Sequence, residues 1–151
     1  MKVAIVIFLS LGLGAHSYYF RPPQGIVNYG NQVIYSNALR YKLQEIANFF
    51  GSVTVTSGLR QGGDPHHAVG QAADIVVPGL DPKVVYDRLR MSGIISTDYI
   101  VMYHAPGVRP CSTGTHLHIA RYQKEMFTGR ATCWVIEGTN IFNRCPSRPP
   151  C

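Results

Sequence analysis

The sequence predicts an α+β protein, because helical and strand patterns alternate within one chain of 151 residues. Three observations carry this. Leu39, Leu43, Ile46, Ala47 and Phe50 recur at helical spacing between Ser36 and Phe50 and form one apolar stripe. Val53-Thr54-Val55-Thr56 and Tyr99 to Tyr103 are short runs rich in β-branched, aromatic and aliphatic residues that read as strands. Hydrophobic residues make up 46% of the chain and charged residues 15%, which excludes a disordered protein and supplies one sizeable core.

The first 17 residues read as a leader. Lys2 gives a positive start, Val3 to Gly14 is apolar, and Ala15-His16-Ser17 offers small residues for cleavage before Tyr18. As an uncleaved anchor the run would be short of the roughly 20 residues a bilayer requires. No later stretch is long and apolar enough to span a membrane. The expectation is a signal peptide over 1–17 and a single domain over 18–151. The protein would then be secreted, or periplasmic in a bacterium. Losing Lys2 lowers the formal charge from +6 to +5. A mildly basic secreted protein suits an anionic partner such as a cell wall. The scattered Arg and Lys residues argue against nucleic acid. Membrane insertion is not expected, and a monomer is.

Residues 18–35 are rich in Tyr, Pro, Gly and Asn and read as an irregular segment that packs by its aromatics. Ser36 or Asn37 can cap the helix that follows, and Gly51 can end it. Residues 57–70 read as a loop. Asp74 to Val77 reads as a strand broken by Pro78-Gly79. Asp81 as cap and Pro82 at the first helical position start a second helix, which carries Val84, Val85 and Leu89 to near Gly93. Ala105 to Gly114 is a connection, and Thr115 to Ala120 is a strand expected to pair antiparallel with Tyr99–Tyr103. Cys111, Cys133, Cys145 and Cys151 imply two disulfides behind a leader, with three pairings open. The Cys-, Pro- and Arg-rich tail begins at Asn143.

Three segments carry candidate chemistry. They are Ser57-Gly58-Leu59-Arg60, then His67 through Asp74, then His116-Leu117-His118. On a strand His116 and His118 share one face, about 7 Å apart, so both can serve one site. One can bind a metal while the other faces a substrate. Gly70, Ala72 and Ala73 are small, so the backbone can return Asp74 close to His67. Two histidines and one carboxylate leave a fourth tetrahedral position open, which is the ligand set of a catalytic zinc site.

The pattern Ser-Gly-x-Arg, His-x-x-Gly-x-Ala-x-Asp and His-x-His resembles the zinc D-alanyl-D-alanine carboxypeptidases, which are M15-like peptidases. They are grouped with the L-alanyl-D-glutamate endopeptidases of phage and bacterial lysins. The signalling domain of Hedgehog shares the group's fold. The resemblance covers roughly Ser36 to Ala120. It implies a small antiparallel sheet with packed helices, and Zn2+ held by His67, Asp74 and His118. It further implies that Arg60 and Ser57 meet the substrate and that His116 stabilises an oxyanion or moves a proton. A guanidinium suits the first role because it stays charged and grips a carboxylate with two donors. The implied reaction is hydrolysis of peptidoglycan stem peptides, at a terminal D-alanine or an internal bond, by a water that zinc acidifies to a pKa of about 7.

The chain departs from the pattern at Thr115, where many relatives carry an acidic base. His116, His104, His66 and Asp98 remain as candidates, and His116 is favoured because it shares a face with His118. His66 has the wrong spacing to Gly70 and Asp74 to replace His67. Only six residues separate Arg60 from His67, a shorter loop than in many relatives. The alternative function is a non-catalytic zinc-binding recognition module of the same fold, and a third is a zinc hydrolase of another secreted peptide.

Overall fold

The structure, a computed structural model, describes residues 24–62, 64–105, 114–122 and 128–137. The described chain runs β1 (Ile26–Asn28), α1 (Asn37–Phe50), β2 (Ser52–Ser57), α2 (Pro65–Ala68), β3 (Ala72–Val76), α3 (Pro82–Ser92), β4 (Tyr99–His104), β5 (His116–Arg121) and β6 (Cys133–Ile136). The α+β expectation holds. The six strands form one sheet in the order β1-β2-β3-β5-β4-β6.

The helices form where the sequence carries both periodicity and caps. Ser36 caps α1 by accepting from the Leu39 N–H, and Gly51 closes it at φ +91°. Leu39, Leu43, Ile46 and Ala47 make the buried face. Asp81 caps α3 by accepting from the Lys83 N–H, and Gly93 ends it in the left-handed region. Val85, Tyr86 and Leu89 face the core from α3, whereas Val84 is exposed.

The sheet divides its residues by the period of two. Val53, Val55, Ala73, Ile75, Val101, Leu117 and Ile119 join α1 and α3 in one continuous core. The alternate residues, Asp74 and His118 among them, face the other way. Cross-strand pairing places Asp74 opposite His118, and His118 opposite Met102. His104 lies opposite His116. Chemistry therefore gathers on the face that α1 and α3 leave uncovered.

Three expectations are corrected. The sheet is mixed, not antiparallel throughout. Its four inner strands pair antiparallel, but β1 pairs parallel with β2 and β6 parallel with β4. Residues 18–35 were expected to be irregular, yet they contain β1, whose parallel pairing is made possible by α1 crossing between the two strands. The stretch 57–70 is not all loop, since Asp64 caps the short helix α2 with Pro65 at its first turn.

The expected signal peptide over 1–17 lies outside the described residues. So do Cys111, Cys145, Cys151 and the tail from Asn143. Cys133, on β6, is within them, so the expected pairings reach beyond the described residues. Among the described residues no helix is long and apolar enough to cross a membrane.

Gly70 shows how backbone geometry builds the central motif. It sits at φ +67°, and its carbonyl accepts from the N–H groups of Tyr35 and Ser36. A Cβ there would stand 2.8 Å from the Tyr35 ring. Gly70→Ala is expected to cost about 1–2 kcal/mol from the left-handed backbone alone, with the Tyr35 contact adding to it. A thermal melt of the variant checks this.

Candidate metal centre

The centre is assembled from three elements. α2 supplies His67, the middle of β3 supplies Asp74, and β5 supplies His118. All three are almost wholly buried. His67 Nε2 lies 3.2 Å from Asp74 Oδ1 and 3.2 Å from His118 Nδ1. His118 Nδ1 lies 2.9 Å from Asp74 Oδ1. Three ligand atoms thus converge on one point, and the group could hold a metal ion.

The ring nitrogens facing outward fix what the inner ones can do. His67 Nδ1 stands 2.7 Å from the Gly58 carbonyl oxygen. A carbonyl only accepts, so Nδ1 carries the proton and Nε2 turns a lone pair inward. Gly58 can be so placed because it has no side chain. A Cβ there would meet the Val33 carbonyl oxygen at 2.5 Å. His118 Nε2 lies 2.8 Å from Asp64 Oδ2, a carboxylate oxygen. The pair is within ion-pair distance but outside hydrogen-bond alignment, and neither atom has another partner among the described residues. Asp74 then brings a third set of lone pairs to two neutral imidazoles.

Such a convergence repels itself unless a cation sits within it. In a metal-free chain the cation is a proton. Burial would lower the His118 pKa, but Asp64 and then Asp74 raise it to about 9. Burial likewise opposes ionisation of both carboxyls. His118 and His66 nonetheless hold Asp64 well below the usual carboxylate range, and His118 and His67 do the same for Asp74. Two imidazole nitrogens and a carboxylate oxygen are a donor set that suits zinc. Bonds of about 2.0–2.2 Å in a tetrahedron put ligand atoms about 3.3–3.6 Å apart, close to the spacing found here. The residues fit the ion.

The other predicted residues fall into place around this cluster. Arg60 Nη1 lies 3.5 Å from Asp74 Oδ2, and its side chain is 46% exposed. Ser57 is half-buried and pairs with Asp74 in the β2–β3 register, beside an irregularity in β2. His116 Nε2 lies 3.6 Å from Asp74 Oδ1. Its ring stacks on His104 at 4.5 Å between centroids. His66 does not replace His67, because its Nδ1 faces Asp64 Oδ1 at 2.7 Å. Asp98 is committed elsewhere and accepts from the N–H groups of Thr128 and Gly129.

Two carboxylates near the centre escaped the reading of the sequence. Asp64 falls in the stretch whose composition reads as a loop, although Asp-Pro is a helix-start signal. Glu137 follows β6, and its Oε2 lies 2.8 Å from His104 Nδ1. No motif marks it, and 33 residues separate the two. Burial lowers the His104 pKa, and His116 and His118 add to this while Glu137 opposes it. Among known proteins the chain matches no family model, no curated protein and no solved structure.

Two outcomes are expected. His118→Ala and Asp74→Ala should each abolish a stoichiometry of about one metal per chain, read by elemental analysis. The metal-free protein should also lose stability as the pH rises. The His118 pKa is raised from 6.5 to about 9, so its contribution is complete below about 6.5 and disappears through about 9. The depressed carboxyls act oppositely and lose their contribution only in acid. Urea midpoints between pH 6 and 9.5, with chelator and with zinc, test the sign. The fall should appear with chelator and vanish with zinc, because the metal needs His118 deprotonated.

Proposed function

We propose that this protein is a secreted zinc metallopeptidase that hydrolyses peptidoglycan stem peptides, in the manner of a D-Ala-D-Ala carboxypeptidase or an endopeptidase. One observation carries the reading. His67, Asp74 and His118 aim three ligand atoms at one point, with Arg60 and His116 beside them on the same Asp74 carboxylate. A structural metal site requires neither a half-exposed arginine nor an extra histidine. The three motifs also resemble those of zinc D-alanyl-D-alanine carboxypeptidases, and a net positive charge suits an anionic wall.

A bound zinc would polarise the scissile carbonyl and make a water acidic enough to act as nucleophile near neutrality. The chain supplies the rest. Arg60 reaches Asp74 from the solvent side, so its guanidinium can engage a substrate carboxylate or carbonyl as it arrives. His116 stands at the edge of the cluster with Nδ1 held by the Gly114 carbonyl at 3.0 Å. That contact leaves Nε2 as the nitrogen able to take or give a proton. His104 stacks behind it with Nδ1 on the buried Glu137, so a carboxylate–imidazole pair stands close to the site although position 115 is threonine. The second reading, a non-catalytic zinc-binding recognition module, rests on that threonine.

Mass spectrometry of muropeptides incubated with zinc-loaded protein tests the proposal, with His67→Ala as control. New products from the wild type alone are expected, and their masses identify the bond cut. No product from protein shown to carry zinc would favour the recognition module. Arg60→Ala should retain zinc and lose turnover by about 10²–10³, the usual effect of removing one donor to a developing oxyanion. An unchanged rate would remove Arg60 from the mechanism.

A further inference from the structure

Asp64 is buried, is not one of the three converging ligands, and is not used in the mechanism above. Capping explains half of it. Its Oδ1 accepts from the His66 N–H at 2.8 Å, which starts α2, and also faces His66 Nδ1. Serine, threonine or asparagine would cap as well without burying a charge. The other half, Oδ2, has one close neighbour among the described residues, His118 Nε2 at 2.8 Å. Both residues are more than nine-tenths buried.

We propose that Asp64 is a positioning residue of the metal centre, whose Oδ2 keeps the proton of His118 on Nε2 and so presents Nδ1 to the ion. The inference rests on the reading that the cluster binds metal. His118 has two ring nitrogens, and only Nδ1 points at His67 and Asp74. A carboxylate against Nε2 selects the tautomer with the lone pair on Nδ1. It also makes that nitrogen a stronger donor, as carboxylates behind metal-bound histidines do. His67 is oriented by a neutral carbonyl, that of Gly58. The two histidines are therefore held unequally, and His118 is the one backed by a full charge. Asp64 also ties the ligands together, because the short helix that it caps carries His67.

The test compares zinc affinity of the full chain and its Asp64→Asn variant by competition with a chromophoric chelator, alongside 15N NMR of the His118 ring in zinc-loaded wild type. Asparagine keeps the cap and the shape while removing the charge. The expected results are a loss of about 10- to 100-fold in affinity, and a ring that is protonated on Nε2 and bound through Nδ1. Unchanged affinity in Asp64→Asn overturns the inference while leaving the metal site intact. Zinc on Nε2 overturns it as well, and this measurement stands even if the variant fails to fold. A wild type that binds no zinc removes the metal site and this inference together.

Discussion

The register between β3 and β5 is the constraint on which the rest depends. It sets Asp74 directly opposite His118 and Ile75 opposite Leu117. Side chains on a strand alternate strictly, so a slip of one residue would turn every one of them over. A slip of β5 would carry His116 and His118 toward the helix-covered core and turn Leu117 and Ile119 toward the polar cluster. The apolar half of the alternation therefore enforces the polar half. Asp74 can be buried on the far face because the near face leaves it no other position.

Electrostatic balance on that face follows from the same geometry. Asp74 divides its two oxygens, with Oδ1 toward the three histidines and Oδ2 toward Arg60. Asp64 divides its own between His66 and His118. Each carboxylate thus has one oxygen at the ligand cluster or against one of its ligands, and one held outside it. Burying charges is costly unless each finds a partner with good geometry. Here the partners are imidazoles, which can exchange a proton for a metal at moderate pH. An arginine would hold the charge permanently and close the site to cations.

Much of this was legible in the sequence, for identifiable reasons. α1 and α3 were readable because periodicity, cap and terminating glycine agreed over more than ten residues. The candidate trio was readable because small residues link His67 to Asp74 over a short stretch and His118 lies in a His-x-His pair, the pattern that carries the family resemblance. β1 and β6 were not readable. β1 has three residues and exposes Ile26, and it is a strand only because β2 lies beside it. β6 is the run Cys133-Trp134-Val135-Ile136, which shows no alternation, and its partner β4 lies some thirty residues earlier. Both edges pair parallel, which is non-local information, so the mixed character of the sheet could not be seen. Glu137 was hidden for the same reason, and Asp64 because the Gly-, Pro- and His-rich stretch around it reads as a loop.

The candidate ligands also have a topological meaning. Asp74 and His118 are 44 residues apart, and the stretch between them includes all of α3 and β4. An ion shared by the two would act as a staple across the middle of the fold, removing freedom from a long loop as a disulfide does. The staple would differ from a disulfide in what undoes it. A reductant would leave it intact, and a chelator or acid would open it. The durability of the described domain would then follow the local supply of metal and the local acidity, while redox conditions would act through the cysteines.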